Sequence, residues 1–309
     1  MIVKLLALKQ NKLTFTTTTM DFLFQFAALF SAITWASSGA ILKTIKFNKY
    51  FSFPFFEACI SFVIMIIVIL LWGEWHSILN ENFDSYLFFS IAAFISCVGT
   101  VSYVIGIQKT SIGVVFTIAS SSNVLVALLF DIFLNSVRHS ALVLLGAFLV
   151  LSGILLMNIK SFTSHEKQRI IGVIGGIIAG SMWGIAVFFN DRALIDGSVL
   201  NGTLIRAIVS MITLTLASYI FRQKIERIIE RIQFIKILSA GSLITISSLF
   251  WFISLDYTSG SLTAMFGSTS PIFAIIFGYF FLKEKIYKLE YLSILLAFVG
   301  IMIIIFFKS

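Results

Sequence analysis

Ten runs of mainly apolar residues follow one another along the chain, at 22–42, 52–73, 85–108, 110–131, 138–158, 170–192, 199–221, 236–257, 260–282 and 288–307. The hydrocarbon core of a bilayer is ~30 Å thick and an α-helix rises ~1.5 Å per residue, so each run is long enough to cross it. The polar positions between the runs are few. Only the stretches around 74–84, 159–169 and 222–235 exceed a tight turn, and none has room for a soluble domain. In the last of them, Arg222 to Phe234 sets isoleucines and charges at helical spacing, which predicts a short amphipathic helix lying in the interface. The pattern predicts an all-α integral membrane protein of ten transmembrane helices.

Composition agrees. Of 309 residues, 59% are hydrophobic and only 12% charged, and the mean hydropathy is +1.04. A soluble surface draws on about twice that share of charge. The net charge of +8 is spread over short connectors and forms no basic patch, so nucleic acid is not an expected partner. Cys59 and Cys97 sit inside apolar runs and predict no disulfide. His76, His139 and His165 are far apart in predicted loops, so no metal site and no cofactor is expected.

The first twenty residues do not fit a span. Met1 to Lys12 is too short to cross and lacks a small-residue cleavage site, so a signal peptide is not expected. Met20 immediately precedes the first span and is an alternative start. Counting Lys and Arg by connector, fifteen fall on the side of the odd-numbered connectors and six on the other. The positive-inside rule then places both termini outside.

Sliding the chain against itself gives matches at an offset of 148, with Trp35 on Trp183, Thr110 on Thr258, Ser111 on Ser259, Ser120 on Ser268, Ser122 on Ser270 and Leu134 on Leu282. Tyr103 meets Trp251 and Asn123 meets Pro271. The offset carries spans one, three and four onto spans six, eight and nine together. A unit of five spans is odd in number, so its two copies would be inverted in the membrane, an arrangement that recurs in transporters with the substrate held between the copies. The expected division is an extension over 1–20, a first repeat over 21–158, a linker over 159–169 and a second repeat over 170–309.

The small-residue face leading to Trp35, its echo at Trp183, and the run Ser270-Pro271-Ile272-Phe273 through Gly278 to Leu282 and Glu284 carry a family resemblance. From Met20 onward the chain resembles the ten-helix, EamA-type members of the drug/metabolite transporter superfamily. The resemblance implies a multi-pass carrier of the inner or plasma membrane, often an exporter of amino acids or other metabolites, with its termini in the cytoplasm. That orientation opposes the charge count. In the first half Asn123 stands where the second has Pro271, and Ser136 where it has Glu284. Arg206 resembles the family's basic residue early in the seventh span, with Glu57 near the equivalent place in the second.

Several residues could line a substrate path. In span six Gly172, Gly176, Ala179, Trp183, Ala186 and Asn190 share a face, and Ala28, Ser31, Trp35 and Ser38 repeat it in span one. Small residues let helices approach closely in lipid; alternatively the face borders a cavity with the two indoles as walls. Ser120 to Asn123 and Gly267 to Pro271 are polar runs whose hydroxyls can bond back to the preceding turn. Pro271 should break its helix, because it has no N–H to donate to the residue four before it. Expected substrate-binding residues are therefore Trp35, Tyr103, Ser121, Asn123, Trp183, Asn190, Arg206, Trp251 and Ser270, with Pro271 as the helix break. Glu57 and Arg206 either snorkel to the interface or face the cavity, where Arg206 would take an anion and Glu57 a proton. Gln108, Asp131, Asp191, Arg192, Asp256 and Glu284 are expected at the interface, and the sequon Asn201-Gly202-Thr203 is expected merely to open span seven.

The expected function is secondary transport of a small metabolite, such as an amino acid or a similar amphipathic solute, with the bilayer as surroundings and a homodimer as a compatible assembly. No Gly-rich loop ending in Gly-Lys-Ser/Thr is present, so ATP is not used directly. The competing readings are a membrane-embedded enzyme on a lipid-linked substrate, whose paired acids the sequence lacks, and a non-transporting scaffold.

Overall fold

The computed structural model describes residues 26–307, apart from 46, 48, 74, 76–78, 137–139, 163–166, 227–229 and 284–287. The N-terminal extension, the three histidines and Glu284 lie outside the described residues. All regular structure among the described residues is helical, and a helix stands at the place of every predicted span. These are α1 (Ala27–Lys43), α2 (Ser52–Trp72), α3 (Phe83–Lys109), α4 (Ile112–Phe133), α5 (Ala141–Phe162), α6 (Lys167–Ala193), α7 (Val199–Ile220), α8 (Arg231–Tyr257), α9 (Gly260–Gly267), α10 (Ser270–Leu282) and α11 (Lys288–Phe307). Among the described residues seven stretches, with α9 and α10 taken as one, are long and apolar enough to cross a membrane. Gly73 closes α2 at φ 74°, a left-handed geometry that glycine adopts without a Cβ penalty.

One span divides and one local expectation changes. The ninth span is two helices joined by a turn at Ser268–Thr269, with Pro271 near the start of the second. Arg222 to Glu226 is not helical; α8 begins only at Arg231. The predicted interfacial helix is therefore absent over those residues. One contact shows what holds the segment: the Glu226 backbone N–H donates to Ser52 Oγ at 3.0 Å, at the start of α2. The connector before α3 makes the counterpart contact. Glu81 Oε1 accepts the Ser198 N–H at 2.9 Å and its Oε2 accepts from Asn201 Nδ2, fixing the start of α7. The Ser198 N–H is one of the donors that a helix N-terminus leaves open. Asn201 is buried, with its amide committed to Glu81.

Antiparallel pairs of helices build the bundle. α3 packs along α6 and α1 packs along α8, while α7 packs on α2 and α5 on α11. Replacing each helix by the one five spans later exchanges the α3–α6 pair with α8–α1 and returns the α2–α7 pair to itself. Glycines set the closest approaches. A Cβ at Gly99 would lie 2.8 Å from Trp183 Nε1 and 3.1 Å from the Ala179 carbonyl, and one at Gly175 would lie 2.7 Å from the Ser102 carbonyl. Gly180 and Gly184 bring α6 against the α4 backbone at Ala119 and Asn123. Dispersion at short range replaces the hydrophobic effect as the force between helices in lipid. The glycines of α6 thus serve packing against α3 and α4, and its larger residues point elsewhere.

Candidate functional site

Those larger residues border a cavity of about 1060 Å³, part of it open to the surroundings. α6 contributes Trp183, Ala186, Val187 and Asn190; α1 contributes Ser31 and Trp35; α8 contributes Ser247 and Trp251; the α9 break contributes Gly267 and Ser268. Glu57 of α2, Tyr103 of α3, Asn123 of α4 and Arg206 of α7 line it as well.

One wall is aromatic. Trp35 and Trp183 meet edge to face with centroids 5.3 Å apart, and Tyr103 lies 5.6 and 5.5 Å from them. Phe116 closes the group at 4.4 Å from Trp35 and 5.5 Å from Tyr103. Such edge-on pairs are the geometry that ring quadrupoles favour. Gly39 leaves the room: a Cβ there would lie 2.6 Å from Phe116 and 2.7 Å from the Tyr103 hydroxyl. That hydroxyl is buried without a hydrogen-bond partner.

The opposite chemistry comes from α2, α7 and α8. Arg206 Nη2 donates to Glu57 Oε1 at 2.7 Å, and the Glu57 side chain is only 3% exposed. Ser61, one turn on from Glu57, donates to the same Oε1 at 3.0 Å. Its oxygen lies 2.7 Å from Thr245 Oγ1, which donates to the Gly241 carbonyl at 2.9 Å. Arg206 Nη2 also reaches Ser61 Oγ at 3.3 Å, while Arg206 Nε is buried with no partner. A buried ion pair of this kind is tolerated when hydrogen bonds satisfy the remaining lone pairs. Glu57 and Arg206 therefore do not snorkel outward; they face the cavity as a pair.

The α9 break brings a third kind of group. Pro271 has no N–H for the Gly267 carbonyl, and the Ile272 N–H turns to the Thr269 carbonyl at 3.0 Å, so the carbonyls of Gly267 and Ser268 lose their usual helical donors. A Cβ on Gly267 would meet nothing within 4 Å. Asn123, across from it on α4, holds a buried Oδ1 without a partner. Ser120 of α4 and Ser270 of α10 meet at 3.2 Å, so the two polar runs do cross.

Of the expected binding residues, Trp35, Tyr103, Asn123, Trp183, Asn190, Arg206 and Trp251 border the cavity, as does Glu57. Ser121 and Ser270 do not. Ser121 Oγ donates back to the Thr117 carbonyl at 2.8 Å, and Ser270 is spent on Ser120. A lone hydroxyl on a helix has a backbone acceptor within reach, and here that local bond prevails. Asp131 and Asp191, expected at the interface, are covered by protein. Asp131 Oδ2 accepts the Ser261 N–H at the start of α9 at 2.8 Å, and its Oδ1 accepts from Asn135 at 2.8 Å. Asn135 in turn accepts from Arg192 at 2.8 Å, joining α4, α6 and α9. Sequence reasoning overlooked Phe116, Ser61 and Thr245. The one usable signal was Ser61, four residues after an acid inside an apolar run.

Residues 170–306 match the EamA-like transporter family. The matched stretch is the second half of the chain, from α6 into α11, which is similar to an EamA-like transporter domain. That likeness and the apolar, membrane-length helices support a multi-pass membrane protein related to transporters in its second half. Among curated proteins none matches the sequence. A solved crystal structure superposes with a TM-score of 0.70 at 13% identity, covering 93% of this chain and 96% of its own. At that identity the likeness speaks to fold alone.

Proposed function

We propose that this protein is a secondary transporter of the cell membrane that exports an amino acid or a similar small amphipathic solute by alternating access between two inverted five-span repeats. The observation that carries the reading is that residues one repeat apart meet in the cavity. Trp35 and Trp183 are 148 positions apart and in ring contact; Glu57 and Arg206 are 149 apart and ion-paired. When two inverted copies are related by an axis in the membrane plane, equivalent residues that touch lie on that axis, hence near mid-membrane, where transporters of this architecture hold their substrate.

In this reading the aromatic wall takes the apolar part of the solute and Arg206 takes its anionic group, because a planar guanidinium suits a carboxylate better than a point charge does. Asn123 and the open carbonyls at the α9 break offer acceptors to its donors. The small-residue contacts between α3 and α6 and between α1 and α8 are the surfaces on which the halves would slide.

The test is efflux from cells overexpressing the protein and loaded with dipeptides, so that internal amino acids rise. External amino acids should climb with the wild type and fall back in Trp183→Ala and Arg206→Ala. No rise from a folded, membrane-inserted wild type would exclude amino acids as the cargo.

A further inference from the structure

Arg206 is only partly used by its ion pair. Nη2 is shared between Glu57 and Ser61, whereas Nε, on the same edge of the guanidinium, is buried with nothing to bond. The Nε–Nη2 edge is the fork that grips a carboxylate with two parallel hydrogen bonds. A solute carboxylate could fill it only by displacing Glu57, and the displaced Glu57 would then be an unpaired buried carboxylate, a costly state inside a membrane.

The surroundings of Glu57 resolve that difficulty. When Glu57 is ionised, Thr245 can donate to Ser61 and Ser61 donates to Glu57. When it is protonated, the chain can run the other way: Glu57 donates to Ser61, Ser61 to Thr245, and Thr245 to Gly241. Each donor has an acceptor in both states, because the series ends on a carbonyl. The charged or titratable groups that face Glu57 are Arg206 from α7 and the Cys97 thiol from α3, with Cys59 beside it on α2; α8 presents Thr245. Among the described residues Arg206 is the cation bonded to Glu57, at 2.7 Å.

Resting on the transport reading above, we propose that the solute carboxylate and a proton bind together: the carboxylate replaces Glu57 on Arg206, and Glu57 takes a proton from water in the cavity. The charges balance. Before binding, Glu57 and Arg206 sum to zero; afterwards the solute anion and Arg206 sum to zero and Glu57 is neutral. The loaded and empty cavities are both electroneutral, and a monoanionic solute with an apolar body would travel in the same direction as one proton. A zwitterion differs, since its ammonium can neutralise Glu57 without a proton.

Titration calorimetry on the full chain in nanodiscs, run at one pH in phosphate and in Tris, reads the protons taken up per ligand bound. The probes are 3-phenylpropionate, which has a carboxylate and a ring but no ammonium, and L-phenylalanine. With the wild type, 3-phenylpropionate should bind with uptake of about one proton, as linkage requires for a group neutralised on binding; phenylalanine should bind with none. Glu57→Gln, checked for folding by thermal unfolding, should bind 3-phenylpropionate with no proton uptake. Binding of 3-phenylpropionate to the wild type without proton uptake overturns the proposal, as does failure to bind it, whether or not the variant folds. Amino-acid efflux that persists while 3-phenylpropionate binds without proton uptake defeats this proposal and leaves the transporter reading intact; proton-linked binding without efflux of any solute defeats the transporter reading alone.

Discussion

Trp35 and Trp183 stand 148 residues apart in the chain and meet edge to face across the cavity, their ring centroids 5.3 Å apart and their planes at 80°. Each belongs to a helix that packs antiparallel on the third helix of the other half, α1 on α8 and α6 on α3. In the inverted-repeat reading this contact marks the axis, so it must reorganise whenever the two halves exchange access. Trp183→Ala should cut solute efflux at least tenfold, whereas Trp183→Phe, which keeps a ring against Trp35 and Tyr103, should retain most of it. Efflux per inserted molecule decides the matter; equal loss in both variants would reduce the indole to a packing residue.

The ion pair gives a stability prediction. Arg206→Ala leaves Glu57, 3% exposed, without its cation, and removing one partner of a buried pair costs on the order of 3–5 kcal/mol. Glu57→Gln combined with Arg206→Gln removes both charges and should be less destabilising than Arg206→Ala alone. Thermal unfolding followed by tryptophan fluorescence ranks the variants; a double variant less stable than Arg206→Ala would mean that the pair is not what holds α2 to α7.

Two glycines should respond in opposite ways. Gly180→Ala drives a Cβ into the Ala119 carbonyl and to 2.7 Å from Ser122 Cβ on α4, contacts that a backbone cannot yield cheaply. The yield of folded protein should collapse. Gly267→Ala meets open space, so folding should be normal while efflux falls, because the methyl enters the cavity. Size-exclusion profiles and efflux separate the two outcomes.

Asp131 ties the start of α9 to α4 and, through Asn135, to Arg192 on α6. Asp131→Ala removes an acceptor from a buried helix N-terminus, and each buried donor left unsatisfied costs about 1–3 kcal/mol. A lower unfolding temperature, partly regained in Asp131→Asn, is the expected result. An unchanged temperature would mean that the Ser261 N–H finds another acceptor.

Asn201 heads a sequon, yet its side chain is buried and bonded to Glu81. Expression in a glycosylating host should give no mass shift at this site by intact-protein mass spectrometry, in keeping with the expectation that the motif only opens α7.

How far the site was legible varies residue by residue. Trp35 and Trp183 stood out because a bulky ring amid small residues breaks a pattern, and the fixed offset linked them. Arg206 and Glu57 stood out because charge is costly in lipid. Their partnership did not, since 149 residues separate them and either could have snorkelled. Ser121 and Ser270 looked as competent as Ser120 or Asn123; only the direction of each hydroxyl distinguishes them. The interfacial helix expected over 222–234 rested on a periodic pattern in a short polar segment, and in the structure α8 begins only at Arg231.

Where the helices run and where the ninth apolar run divides near Pro271 could be read from the sequence, because bilayer thickness and the missing proline N–H act locally on a stretch of chain. It also showed the 148-residue offset on which the repeat reading rests. Which face of each helix meets protein, which meets the cavity and which meets lipid was decided by the tertiary structure alone. In water an amphipathic stripe announces the buried face; in a membrane, lipid and protein interior are both apolar, so the stripe vanishes and close packing of small residues chooses the face. Gly180 against α4 and Trp183 beside the cavity, three residues apart on one helix, are the outcome of that choice.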